Sequence, residues 1–299
     1  MPYLLSASFI WAFSYGLIKS ELTSLDPNFV TVCRMLSAFL VFLPFLIIKK
    51  NKHLAPFLLL LGAIQYGLMY LFVLRSYQYL DAYQVVLFSA TTPFYVILFN
   101  ALFERRFRAY HFMVAGIAII GGWIIYNVQS MTLDTLWGFL LVQAADVCFA
   151  FGQVAYSEFK KNQPTIQDKE IYGFLFLGAL IISILSTTWL GGWYNLQEVT
   201  IKQGLILIYL GGVSSGICFF WWNKGATQMH PLMLSVFNNL KLPLATLVSI
   251  VCFHEQVKHG MRLGSGLLLI VFALVLAERY QRKQNIRGSS PKAYRSIPI

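Results

Sequence analysis

The chain has 299 residues, 58% of them apolar and only 12% charged, with a mean hydropathy of +0.64 and a formal net charge of +11. Soluble domains carry about 25% charged residues and at most about 50% apolar ones, so these figures exclude a soluble enzyme, a disordered protein and a fibre. The basic residues fall in short runs between apolar stretches rather than on one polar face, which argues for topology signals and against nucleic-acid binding.

A helix that crosses a bilayer needs about 20 mainly apolar residues. The chain divides into ten such stretches: 3–20, 29–47, 55–75, 82–102, 110–127, 134–156, 171–190, 203–222, 232–253 and 261–279. The first has neither the basic start nor the small-residue cleavage site of a signal peptide, and it runs into Lys19 and Glu21, so it is expected to stay in the mature chain. Backbone amides in hydrocarbon must be bonded internally, and these stretches are too long for tilted barrel strands. The expected fold is therefore all-α: a polytopic membrane protein with ten transmembrane helices. Cys33, Cys148, Cys218 and Cys252 each lie in an apolar stretch without metal-ligand spacing, and are expected to be free, buried thiols.

Cations near helix ends are retained on the cytoplasmic side. With the amino terminus inside, 16 of the 23 lysines and arginines fall on the inner side and 5, namely Lys19, Arg75, Lys202, Lys258 and Arg262, on the outer side. The protein is expected in the cytoplasmic (inner) membrane with both termini cytoplasmic. Residues 281–299 read as a flexible basic tail beside anionic lipid.

A faint internal repeat has a period of about 150 residues. Pro93 is followed by Glu104 and Gly116, and Pro243 by Glu255 and Gly264; each proline follows polar side chains, Ser89, Thr91 and Thr92 in one half and Asn238, Asn239 and Lys241 in the other. Five spans per half is an odd number, so the second half must enter the membrane from the opposite side. That gives two inverted five-helix repeats, 1–130 and 131–280, an arrangement used by secondary transporters.

These residues carry a resemblance. Trp11, Phe13, Lys19, Pro27 and Arg34 resemble the early marks of an EamA domain, and the Pro93 and Glu104 pair resembles its end. Gly138, Pro164, Pro243, Glu255 and Gly264 resemble the marks of a second copy, although no Trp stands where Trp11 would repeat and the seventh span holds no arginine. The chain is similar to the ten-helix branch of the drug/metabolite transporter superfamily. The resemblance implies a carrier of small metabolites, whose members move amino acids, purines, quaternary amines, nucleotide sugars and S-adenosylmethionine.

An ionised side chain inside a span costs at least about 2.5–3.5 kcal/mol and needs a partner or a wet cavity. Arg34, Asp146 and Lys241 fall in spans. Lys241 is expected either to face a central cavity and bind a substrate carboxylate, or to pair with Asp146 between helices. Arg34, near the start of its span, reads as a structural charge that snorkels to the interface or bonds carbonyls. Asn238 and Gln65 are the candidate polar cavity residues beside Lys241. Tyr66 and Tyr70, one turn apart, and Trp222 are candidate stacking rings, and Trp11 is the aromatic candidate that the resemblance favours. Pro93 and Pro243 are candidate hinges. The GxxxG spacings at Gly212/Gly216 and Gly260/Gly264 allow close helix approach.

His254, Glu255 and His259 read HExxxH, one residue too long for a zincin, and there is no GxxxxGK[ST] loop for nucleotide phosphates. No metal or cofactor is expected, and transport should run on a gradient or by exchange; Asp146 is a candidate substrate-binding residue and, like Glu104, a candidate proton carrier, although Glu104 beside Arg105 and Arg106 reads rather as part of a solvated, charge-paired loop. The expected function is a secondary active transporter of an amino-acid-like or zwitterionic metabolite, with S-adenosylmethionine a candidate cargo. The partners are a small-molecule substrate and membrane lipids. A toxic-cation efflux pump of the same fold and a non-transporting membrane scaffold stay open as alternatives.

Overall fold

The computed structural model describes residues 2–46, 52–105, 107, 109–125, 132–229 and 260–288, together with 234, 238, 244, 245, 247, 248 and 251–253. Every regular element among the described residues is helical. Helix α1 (Pro2–Leu17) ends in a π turn, Ile18–Leu22, and α2 (Pro27–Phe42) in a 3-10 turn, Leu43–Phe45. Helices α3 (Ala55–Gly62) and α4 (Met69–Ser76) are one rod joined by a π segment, Ala63–Leu68. Helices α5 (Ala82–Phe88) and α6 (Thr92–Glu104) are joined by a 3-10 turn, Ser89–Thr91. Then come α7 (Ala109–Ile125), α8 (Leu133–Asn162), α9 (Asp168–Leu190) and the short α10 (Asn195–Glu198). Helices α11 (Ile201–Tyr209) and α12 (Cys218–Ala226) flank a second π segment, Leu210–Ile217, and α13 is Gly260–Gly288.

Six of these rods are long and apolar enough to cross a membrane: Pro27–Phe45, Lys52–Ser76, Ala82–Glu104, Leu133–Asn162, Asp168–Leu190 and Ile201–Ala226. Their ends follow local chemistry. Asp26 accepts from the Asn28 amide with Pro27 at the first helical position, and Thr132 and Thr200 accept from the amides three residues on, opening α8 and α11. Large apolar side chains such as Phe9, Leu40, Leu60 and Leu205 point outward, as lipid rather than water requires.

Three expectations change. Helix α13 runs past residue 280 as far as Gly288, because the segment after Tyr280 holds no breaker before that glycine. Cys252 is exposed rather than buried, while Cys218 is buried and Cys33 and Cys148 are half-buried; a thiol is apolar enough to lie on an apolar face. Pro93 sits in the first turn of α6, where its missing amide costs nothing, so the break in that rod is the 3-10 turn before it. Lys241, Asn239 and Pro243 lie outside the described residues.

Helix α2 packs on α9 and on the second π segment, and α9 packs in turn on α3 and the first π segment. Helix α1 lies on α12, α4 and α6 on α8, and α7 on α13. Glycine permits the closest crossings. A Cβ on Gly62 would stand 1.8 Å from the Leu175 carbonyl oxygen, and one on Gly178 would stand 1.9 Å from the Leu59 carbonyl oxygen. A Cβ on Gly211 would stand 2.8 Å from the Arg34 carbonyl oxygen. Of the GxxxG pairs, Gly212 and Gly216 meet α2 at ordinary contact, and Gly260 and Gly264 meet nothing within 4 Å.

Candidate substrate-binding cavity

Helices α1, α2, α4, α5, α8 and α12 line a cavity whose empty space, open solvent at its mouth included, is about 670 Å³. Its walls are mainly apolar and aromatic, with Trp11, Tyr15, Val73, Val85, Val142, Phe149 and Phe219 prominent. Polar and charged side chains among the lining residues include Ser14, Arg34, Tyr70, Ser89, Asp146 and Ser214. A smaller cavity of about 280 Å³ shares Ile18 and Tyr77 with it and reaches the turn between α1 and α2. Beside that turn Lys19 Nζ donates to the carbonyls of Tyr77 (3.2 Å) and Leu80 (2.9 Å), tying the end of α1 to the α4–α5 turn.

Among the described residues, Arg34 is the cation that lines this cavity. It is only 1% exposed. Its Nε and Nη2 donate to Ser215 Oγ at 3.2 and 3.0 Å, Nη2 donates to the Tyr70 hydroxyl at 2.7 Å, and the guanidinium carbon lies 4.2 Å above the Tyr70 ring. The π segment supplies this arrangement. Ser215 Oγ also contacts the Leu210 carbonyl five residues back at 2.9 Å, and the carbonyl of the preceding Ser214 accepts from Trp11 Nε1 at 2.8 Å. Ser14 and Ser214 hydroxyls lie 2.8 Å apart. The remaining guanidinium nitrogen, Nη1, is buried and has no hydrogen-bond acceptor among the described residues. A buried ion left partly unbonded is costly, and a planar fork with free N–H groups is the geometry that receives a carboxylate.

Asp146, 6% exposed, is the carboxylate of the same cavity. Thr91, the last residue of the 3-10 turn in the α5–α6 rod, lies 2.9 Å from its Oδ2.

One turn beyond the cavity a second set of polar groups is sealed from solvent. Gln65 and Asn223 bond through both amides at 3.1 and 3.4 Å, and Asn223 donates to Tyr66 at 2.9 Å. The Tyr66 and Tyr172 hydroxyls lie 3.2 Å apart, and Tyr172 donates to the Phe219 carbonyl at 2.8 Å. Trp222 Nε1 donates to Gln153 at 3.2 Å, and its ring lies 4.9 Å from that of Trp11. Replacing Asn223 with Ala strips partners from both Gln65 and Tyr66, and each orphaned group costs about 1–3 kcal/mol. The expected result is a clear fall in the thermal unfolding midpoint in detergent.

The sequence candidates thus divide. Trp11, Tyr70 and Asp146 line the cavity, and so does Arg34, whose guanidinium turns inward instead of toward an interface. Gln65, Tyr66 and Trp222 belong to the sealed network. Asn238 is buried, with Nδ2 on the Leu234 carbonyl at 3.1 Å, and does not line the cavity. Ser14, Ser214, Ser215, Phe149 and Phe219 were not singled out by sequence. The pair of adjacent serines inside the apolar, glycine-rich run LGGVSSGI was the available signal.

The sequence profile of the EamA-like transporter family matches residues 1–127. Whole-chain relatives extend this. The biotin transporter of Escherichia coli is 34% identical over 278 residues, 92% of this chain and 91% of that one. The probable biotin transporter of Pseudomonas aeruginosa is 33% identical over 280 residues, 92% of this chain and 96% of that one. The chain belongs to the EamA-like transporter family. This EamA-like protein is a multi-pass membrane transporter of the drug/metabolite transporter superfamily, not an enzyme. The WAT1-related protein At4g01440 of Arabidopsis thaliana, 22% identical over 157 residues, 51% of this chain and 41% of that one, belongs to the same superfamily. A solved crystal structure that is 18% identical matches this EamA-like chain with a TM-score of 0.69, covering 94% of it and 97% of the other chain, a likeness of fold.

Proposed function

We propose that the protein carries a small carboxylate-bearing metabolite of the biotin kind across the cytoplasmic membrane by alternating access, with Arg34 holding the carboxylate. The observation that carries this reading is the buried Nη1 of Arg34, unbonded among the described residues, on a residue that lines a cavity with mainly apolar and aromatic walls. The two relatives above, named as transporters of biotin, support the choice of cargo. Biotin combines a carboxylate, an aliphatic chain and a compact ring, which suits one fixed cation among aromatic and aliphatic walls. An amino acid or S-adenosylmethionine also presents a carboxylate and is the competing cargo.

The proposed frame is ten helices as two inverted five-helix repeats, 1–130 and 131–280, with both termini cytoplasmic, Pro243 and the 3-10 turn ahead of Pro93 as hinges, and a gradient or exchange as the driving force. Several features support the repeat. The π segments begin at Ala63 and Leu210, separated by nearly the same interval as the two prolines. The packing is reciprocal: α2 lies on the second π segment and α9 on the first, and α1 lies on α12 as α8 lies on α4. Gly62 faces the Leu175 carbonyl as Gly211 faces that of Arg34. Leu175 therefore stands where the second half would repeat Arg34, so the cation belongs to one half only.

Uptake of labelled biotin into proteoliposomes tests the reading. The expected result is saturable uptake, competed by unlabelled biotin and not by amino acids or S-adenosylmethionine. Competition by either of the latter with no biotin uptake would overturn the choice of cargo.

A further inference from the structure

We propose that Ser215 is the positioning residue of the carboxylate site: from behind the cavity lining it holds the Nε and Nη2 edge of Arg34, so that Nη1 is the nitrogen left to the cargo. This rests on the reading above, in which Arg34 receives the acid. Ser215 is fully buried and is not among the residues that line the cavity, whereas its neighbour Ser214 is. The bonds from Nε at 3.2 Å and Nη2 at 3.0 Å take both acceptor positions of the Ser215 hydroxyl. Its single proton goes to the Leu210 carbonyl at 2.9 Å or to the Tyr70 hydroxyl at 3.0 Å. Tyr70 accepts the other Nη2 hydrogen at 2.7 Å, so this edge of the guanidinium is filled, and Nη1 has no acceptor among the described residues.

The second π segment is what aims the hydroxyl. Ser8, Ser14, Ser37 and Ser183, all on α-helices, turn back to the carbonyl four residues earlier, a common habit of helical serines. Ser215 reaches five residues back, to Leu210, because Leu210–Ile217 is wound at the wider pitch. Single π turns inside helices gather at functional sites. The segment is also pinned from α1, where Trp11 Nε1 donates to the Ser214 carbonyl and the Ser14 hydroxyl meets that of Ser214. Arginine is rich in rotamers, and a head group fixed before the cargo arrives need not be ordered by it. Losing the Ser215 hydroxyl should therefore weaken binding. The freed Nε is no new donor for the cargo, because it points at a residue outside the lining.

The test is proteoliposome uptake of labelled biotin over a range of concentrations, with biotinamide, which keeps the ring but lacks the charge, as competitor. In Ser215→Ala the concentration for half-maximal uptake is expected to rise by about 10-fold or more, the effect of one lost hydrogen bond to a charged group. The maximal rate should stay near that of the parent. The inhibition constant of biotinamide should not change, so the preference for the acid over the amide shrinks by the same factor. Ser215→Thr keeps the hydroxyl and should recover most of the loss. Ser215→Cys puts a weak acceptor in the same place, should behave as alanine does, and serves if the alanine variant does not fold. Parental or tighter half-saturation in the folded alanine or cysteine variant, or biotin and biotinamide weakening together, overturns the role of Ser215 alone. A parent that takes up no biotin, or an Arg34→Gln variant that carries it at the parental rate, overturns the reading above and this one with it.

Discussion

Replacing Arg34 with Gln is expected to lower uptake of the carboxylate substrate by about 100-fold or more without loss of folded protein. Removing one partner of a desolvated, hydrogen-bonded charge pair costs about 2–5 kcal/mol, and about 1.4 kcal/mol is tenfold. Glutamine can keep a bond to Ser215 but presents no charge to a carboxylate. Arg34→Lys should be intermediate, because an ammonium cannot reproduce the fork that reaches Ser215, Tyr70 and a ligand together. Stability should change much less than uptake: glutamine removes a buried ion that is incompletely bonded, a gain set against the partners it takes from Tyr70 and Ser215. Initial uptake rates, read beside thermal unfolding in detergent, separate the two effects. A glutamine variant that carries the acid at the parental rate removes Arg34 from the site.

The largest structural effect is expected at the crossing of α3 and α9. Gly62→Val or Gly178→Val places a branched side chain where even a methyl carbon would fall within 2 Å of a carbonyl oxygen on the facing helix. Ordinary over-packing of a core costs about 1–3 kcal/mol because flexible side chains give way. Here the obstacle is backbone, so the rods must separate, and either variant should cost more than that range and yield mostly aggregated material on size exclusion. Gly204→Ala is the control. Its Cβ meets nothing within 4 Å in α11, and the exchange should raise stability by up to about 1 kcal/mol. Wild-type behaviour of Gly178→Val would mean that the two rods do not cross closely.

The hydrophobic rods were legible in the sequence, because twenty apolar residues between polar joints have few physical solutions; the expected 82–102 and 171–190 differ from Ala82–Glu104 and Asp168–Leu190 by only a few residues. The π segments were not, since an i→i+5 pitch leaves no mark in hydropathy. Their consequence was the larger gap. Which face of a rod meets the cavity depends on its rotation, and an apolar run with scattered amides does not encode it. Gln65 and Tyr70 sit on one rod, yet Gln65 bonds Asn223 on α12 while Tyr70 meets Arg34. Arg34 was misleading for the same reason: its partners Tyr70 and Ser215 lie 36 and 181 positions away, and nothing near it in the chain announces them.

The sealed cluster around Gln65, Asn223, Tyr66 and Tyr172 has a thermodynamic corollary. A lock of interdigitated hydrocarbon resists wetting, because every square ångström exposed is unfavourable. Amides and phenols are different, since each bond broken there is replaced by one to an incoming solvent molecule, at a net cost of only about 0.5–1.5 kcal/mol. Parting these side chains therefore trades one set of partners for another, and two conformers of similar free energy can interchange with hydration itself as the lever.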